Sequence, residues 1–202
     1  MSLGVTANKE RNGALLAYIA SCVPGLHLRK LLKIVYLIDE KFMELRGYPL
    51  TWFDYYAWQK GPVAPEVYAV KTGEFSQYVT CRKDAKGSNI VDAVAPNRYL
   101  QSKQMGAYSP YELGVIDEVI GQYGGMSADE LSELTHADGS LWQRVVEKEA
   151  VRFVDGKSVV EIPLQLLNEG DEIKTERYEE AKWSMGFQAA LNQHKEADVS
   201  AS

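Results

Sequence analysis

The stretch "LHLRKLLKIVYLIDEKFMELRG", residues 26–47, decides the fold. Leu28, Leu31, Val35, Ile38, Phe42 and Leu45 follow one another at steps of three and four, which places them on one stripe of an α-helix. Leu32, Ile34, Tyr36 and Leu37 widen that stripe over most of the circumference, leaving Arg29, Lys33, Glu40, Lys41 and Glu44 as the expected wetted edge. A helix apolar on most sides belongs at the centre of a domain. Gly47 can supply a left-handed cap and Pro49 prevents continuation, so a central helix is expected over about 27–46.

Working outward, residues 8–22 carry Leu15, Leu16 and Ile19 toward one helical face, with Val23 following and Pro24-Gly25 as the stop. Ser109 with Glu112, Ser127 with Glu130, and Ser140 with Gln143 are three capping signatures, each opening a short helix. Leu113, Ile116, Ile120 and Tyr123 line the first of these helices. Leu131 and Leu134 line the second, and Leu141, Trp142 and Val145 the third. A final helix is expected over about 172–192 on the repeat of Trp183, Phe187 and Leu191, with a polar tail at 193–202.

The β signals are fewer. "QYVTC" and "NIVDAVA" flank the turn-forming "KDAKGSN", which reads as a hairpin or an exposed loop within 75–105. "VRFVDGKSVVEIP", residues 151–163, sets Asp155-Gly156 between β-branched runs, the pattern of a two-residue hairpin turn. The fold class is therefore mainly α with minor β, an α+β chain with a compact set of helices around 27–46 and one or two small hairpins. Residues 8–150 form the main domain, and 151–192 a hairpin and helix packed on it or extending it.

The charge is −6, from 22 basic and 28 acidic residues. Phosphate binding draws on a concentrated basic surface, so nucleic acid is disfavoured as a partner. Cys22 and Cys81 have no metal-ligand spacing and read as free thiols of a reducing compartment, behaving as small buried hydrophobes. No metal or cofactor is expected. No apolar run nears the roughly 18 residues of a membrane span, and the N-terminus has no signal-type segment, so a cytoplasmic location is expected.

Catalytic signatures for phosphate, dinucleotide, acyl-transfer and zinc-protease chemistry are missing. Asp39, Glu40 and Lys41 are adjacent on a helix, where neighbours point apart, and read as a solvated edge. His136 near a helix end has no identifiable catalytic partner and reads as structural. Residues 127–150 have helix-turn-helix lengths, but Gln143, Arg144 and Lys148 share their helix with Glu147 and Glu149. A DNA-binding regulator is thus one alternative function. An enzyme using His136 and the carboxylates of the central helix is another.

In "YYAWQKGPVAPEVY", residues 55–68, Gly61-Pro62 fixes an extended bend, Trp58 and Tyr68 fill the space beneath it, and Pro65 opens a short helix closed by Gly73. The bend is read as scaffold, with Gln59, Lys60 and Glu66 as its exposed members and first choices for contacting a partner.

Leu28, Lys30, Leu31, Lys33 and Tyr36, then Gly47, Pro49 and Leu50, then Ala57, Trp58, Gly61, Pro62, Val63, Val67 and Tyr68 resemble the ordered motifs of the Panacea domain family. That family is also described as SocA-like antitoxins or GepA-like phage-associated proteins. Leu131, Leu134, Thr135, His136 and Trp142 resemble its second block, although Leu141 stands where the family has proline. The two blocks bracket about residues 10–150; nothing from 151 on carries a resemblance.

The resemblance implies a helical, non-enzymatic antitoxin module that neutralises a toxic protein encoded by an adjacent gene, by direct binding or by delivery to a protease or its unfoldase. His136 joins Gln59, Lys60 and Glu66 as a partner-contact candidate. Lys30, Tyr36, Trp58, Gly61, Pro62, Pro65, Tyr68 and Trp142 are expected to form the structural motif.

Overall fold

The computed structural model describes residues 8–95 and 107–200, with side chains as far as residue 187. Its helices are α1 Lys9–Cys22, α2 Leu28–Arg46, α3 Pro65–Tyr68, α4 Pro110–Tyr123, α5 Ala128–Thr135, α6 Leu141–Lys148 and α7 Glu172–Ser200. Two antiparallel hairpins accompany them, β1 Tyr56–Trp58 with β2 Gly61–Val63, and β3 Val79–Lys83 with β4 Asn89–Ala93. Single 3-10 turns occupy Ala69–Thr72 and Leu164–Asn168. The fold is mainly α with minor β, as the sequence predicts. The last helix runs to Ser200; residues 201–202 of the expected tail, and residues 96–105 of the expected hairpin-or-loop region, lie outside the described residues.

Helix α2 packs against α1, α3, α4, α5, α7, one strand of each hairpin and the second 3-10 turn. That encirclement buries Leu31, Ile34, Val35 and Ile38 completely, and it also buries Lys33 and Asp39. Both departures from the expected wetted edge have one cause: a helix surrounded on nearly every side has little face left for water. Leu45, at the far end of the predicted stripe, is instead exposed. Gly47 closes the helix at φ 82°, and a Cβ there would lie 2.7 Å from the Lys174 carbonyl oxygen, so the cap also admits α7. Asn168 Nδ2 donates to the Gly47 carbonyl at 2.8 Å and to that of Lys174 at 3.2 Å, tying the junction together.

The Asp39 carboxylate receives four donors: Leu50 N–H at 2.8 Å, Thr51 N–H at 2.9 Å, the Thr51 hydroxyl, and Tyr55 Oη at 2.7 Å. Burial pushes this carboxyl above its ordinary range, and the four donors pull it back. Asn12 Nδ2 of α1 donates to the Thr51 carbonyl at 2.9 Å from the other side. The turn so held carries Trp52 in the left-handed region, φ 58°, with its indole 5.6 Å from the Tyr178 ring. Local strain is sustained there by surrounding contacts.

Capping follows the sequence with one variation. Ser109–Glu112 and Ser127–Glu130 form full reciprocal boxes. Ser140 caps Gln143 N–H, but the Gln143 side chain accepts from Gly139 N–H, one residue before the cap. Helix α4 buries Val115, Ile116 and Val119, and α5 turns Leu131, Ser132 and Thr135 inward while Leu134 is exposed. Trp183 and Phe187 of α7 stack on each other at 5.6 Å and stay exposed.

Asp155 and Gly156 adopt φ 49° and 74°, the paired positive values of the expected tight turn, and Val154 and Lys157 exchange both backbone hydrogen bonds. The flanking arms do not pair further with each other. Instead, residues 156–162 run along the free edge of β1: Gln59 N–H donates to Gly156 O, Ala57 N–H to Val160 O, and Ile162 N–H to Tyr55 O. Ser158 Oγ adds a bond to the Ala57 carbonyl at 2.6 Å. An open strand edge outcompetes extension of the short hairpin.

Asp39→Ala leaves the Leu50 and Thr51 amides buried without an acceptor and should cost about 3–4 kcal/mol in chemical denaturation, with Asp39→Asn costing less because its amide oxygen still accepts. Equal, near-zero losses for both would show that the network is dispensable.

Candidate functional site

The bend at residues 55–68 is a tight hairpin with Gln59 and Lys60 at its apex, pairing Trp58 with Gly61 and Tyr56 with Val63. Gly61 sits at φ 103°, a conformation that L side chains rarely adopt. A Cβ on it would lie 2.1 Å from Lys33 Nζ, 2.9 Å from His136 Nε2 and 2.9 Å from Thr135 Oγ1. Three polar groups from both sequence blocks thus surround one point. Lys33 Nζ donates to the Pro62 carbonyl at 3.2 Å, and Thr135 Oγ1 to the Ser132 carbonyl at 3.1 Å. His136 Nε2 is buried with no hydrogen-bond partner among the described residues.

Aromatic contacts carry this node outward. The His136 ring stacks on Trp142 at 3.9 Å, and Trp142 Nε1 donates to the Trp58 carbonyl at 3.0 Å. Trp58 meets Tyr68 edge-on at 4.8 Å. Lys157 Nζ lies 5.0 Å from the Trp58 ring centre and 5.4 Å from that of Tyr68, and Lys71 Nζ lies 3.7 Å from Tyr68. Leu141, standing in place of proline, is buried as the first residue of α6, so the helix begins without disturbing Trp142.

Electrostatics follow from enclosure. Desolvation brings Lys33 down to about 7, with Arg29 repelling its charge further. Desolvation, then Lys33 and Lys60, brings His136 down to about 4, so its ring is neutral at physiological pH. An amine and an imidazole of this kind could move protons, but Pro62 and Gly61 cover them. The large cleft beside the hairpin, about 850 Å³, is lined by Leu28, Leu32, Trp58, Lys60, Val63 and Tyr68 among others, and not by Lys33, Thr135 or His136. Burial likewise raises both thiols, Cys22 and Cys81, above their ordinary value, and both are half-buried rather than fully enclosed. Among the described residues no group of three or more His, Cys, Asp and Glu could hold a metal ion, and no helix is long and apolar enough to cross a membrane.

Among the residues singled out from sequence, Gln59, Lys60 and Glu66 are exposed, while His136 is half-buried and faces the node. Lys60 and Glu66 differ in surroundings: Lys60 bears on His136, whereas the charges acting on Glu66 are the carboxylates of Asp54 and Glu74. Lys30 Nζ donates to the Gly124 carbonyl at 2.5 Å, joining α2 to the end of α4. Tyr36 donates to Glu40 and packs edge-on against Tyr55 at 5.2 Å; Pro65 opens α3. Sequence alone does not mark Lys33 or Lys157 as site residues: Lys33 stands on the expected wetted edge and in the family-like motif, and Lys157 is the residue after the Asp155-Gly156 turn.

A family model described as antitoxin SocA-like, Panacea domain, matches residues 31–143, a little more than half of the chain. None of the curated proteins and none of the solved structures matches it.

Because the folded pKa of Lys33 is depressed from 10.5, the unfolded chain binds more protons between about 7 and 10.5 and stability rises with pH in that window. From neutrality to just below the thiol range the gain should be about 1 kcal/mol in urea titrations, and Lys33→Met should flatten it. An unchanged slope in the variant would assign the effect elsewhere. Below neutrality His136 acts in the same direction, weakening the fold as pH falls toward 4. Gly61→Ala combines backbone strain with the clash on Lys33 and should cost about 2 kcal/mol or more by thermal unfolding.

Proposed function

The chain belongs to the antitoxin SocA-like, Panacea domain family, and from that premise we propose that it neutralises a toxic protein encoded by an adjacent gene by docking against it. The family match over residues 31–143 carries this reading. The arrangement of the signature residues supports it: Lys33, Gly61, Pro62, Thr135, His136 and Trp142 lock the hairpin onto α2 and α5, so the apex is presented on a rigid base. Pre-ordering a contact surface lowers the entropy lost on association. Direct binding is the mode this geometry favours, with Gln59 and Lys60 at the apex. Delivery of the bound toxin to a protease or its unfoldase would use the same first step.

The alternative of DNA reading finds little support in α6. Arg144 forms an ion pair with Glu169, and the Gln143 side chain is engaged by Gly139, Asp138 and Glu147. A recognition helix needs such side chains free to reach base edges.

Expression of the adjacent gene alone should arrest growth, and co-expression of this chain should restore it and yield a complex that co-purifies. Restoration that persists in cells lacking ATP-dependent proteases supports direct neutralisation; restoration lost in those cells supports delivery. A harmless neighbour, or toxicity undiminished by the co-expressed chain, overturns the reading.

A further inference from the structure

We infer that the cleft beside the signature hairpin binds an acidic segment of the partner protein, anchored by an apolar or aromatic side chain on Trp58 and Tyr68. This inference rests on the protein-docking reading and specifies its chemistry. The chain as a whole carries −6. Around Trp58 and Tyr68, however, lysines gather from separate parts of the sequence: Lys60 at the hairpin apex, Lys71 in the first 3-10 turn, Lys83 at the end of β3 and Lys157 in the turn that follows α6. All four are exposed. The charges acting on the Tyr68 phenol are those of Lys71, Lys157 and Lys83, with no carboxylate among them.

The remaining cations near carboxylates are used internally. Arg11 pairs with Glu112, Arg29 with Asp129, Lys41 with Glu44, Arg82 with Asp92 and Arg144 with Glu169. Lys60, Lys71, Lys83 and Lys157 form no ion pair among the described residues; Lys71 and Lys157 rest on aromatic rings and Lys83 donates to the Gly87 carbonyl. Acidic groups do line the cleft. Asp129 pairs with Arg29, Glu130 accepts from the Ser127 amide and interacts with Lys30, and Asp155 stands in the turn beside Lys157.

The cleft, about 850 Å³, is lined by the apolar side chains of Leu28, Leu32 and Val63 together with Trp58 and Tyr68. That volume suits two or three side chains of an extended peptide. Trp and Tyr are frequent anchors of binding hot spots; Lys60 and Lys157 line the cleft, Lys71 and Lys83 lie beside Tyr68 outside it, and complementary charge sets the encounter rate and excludes other partners. A duplex, by contrast, would meet the repulsion of the negative surface beyond this cleft.

The test uses the full chain, isotope-labelled and titrated at low salt with three probes: a capped peptide alternating Glu-Asp pairs with Leu and Phe, its Gln-Asn counterpart, and a short DNA duplex. The acidic peptide should shift the Trp58 and Tyr68 ring signals and bind at least about tenfold more tightly than the neutral one. Lys60→Glu with Lys157→Glu should lose about tenfold or more, and added salt should weaken binding. Circular dichroism checks that variant's fold, and the milder Lys60→Ala with Lys157→Ala pair, expected to lose part of the affinity, replaces it if it fails to fold. Absence of binding, equal binding by the charge variants, shifts confined to other surfaces, or tighter binding of the duplex at the same lysines would each overturn the inference. If the charge-reversed chain still rescues cells from the neighbouring toxin, the cleft assignment falls and the antitoxin reading stands. If peptide binding holds while the wild-type chain rescues nothing, the antitoxin reading falls alone.

Discussion

A helix enclosed on nearly every side must find partners for its polar side chains within the chain, and α2 sets this condition for the whole protein. Its two buried charge-bearing residues, Lys33 and Asp39, are met by segments distant in sequence. Asp39 gathers the turn at 50–55 through four donors; Lys33 gathers the hairpin through the Pro62 carbonyl. An unpaired buried charge would cost several kcal/mol, so each contact also dictates where its segment must lie.

This condition explains why the two sequence blocks occur together. Lys33 lies on α2, Gly61 and Pro62 on β2, and Thr135 and His136 at the end of α5, yet all meet at the position where Gly61 lacks a Cβ. The glycine is required twice, by its positive φ and by the amine beside it. Most signature residues therefore serve attachment, and Gln59 and Lys60 at the hairpin apex are left exposed. The segment from 151 to 162 lies beyond the family match but pairs with the free edge of β1 and brings Lys157 over Trp58 and Tyr68. Its place against the hairpin makes it part of the docking surface proposed for the antitoxin.

On the proposed docking, stability and recognition lie on separate sets of residues. The core is assembled from Leu, Ile, Val and aromatic side chains around α2, whereas the lysines at the cleft contribute little to holding the fold, since exposed charges are screened. Under the docking proposed above, changes at the apex would alter what is bound without disturbing what holds it.

Local rules made much of the chain legible. The stripe from Leu28 to Phe42 fixed α2, Gly47 its end, Ser109 and Ser127 the starts of two helices, and Asp155-Gly156 the type of one turn, because each depends on residues within a few positions. The burial of Lys33 and Asp39, the inward turn of Thr135 and the pairing of residues 156–162 with β1 were decided only by tertiary structure. Their partners lie far along the chain, and periodicity reports which face of a helix is apolar but not how many neighbours will close around it.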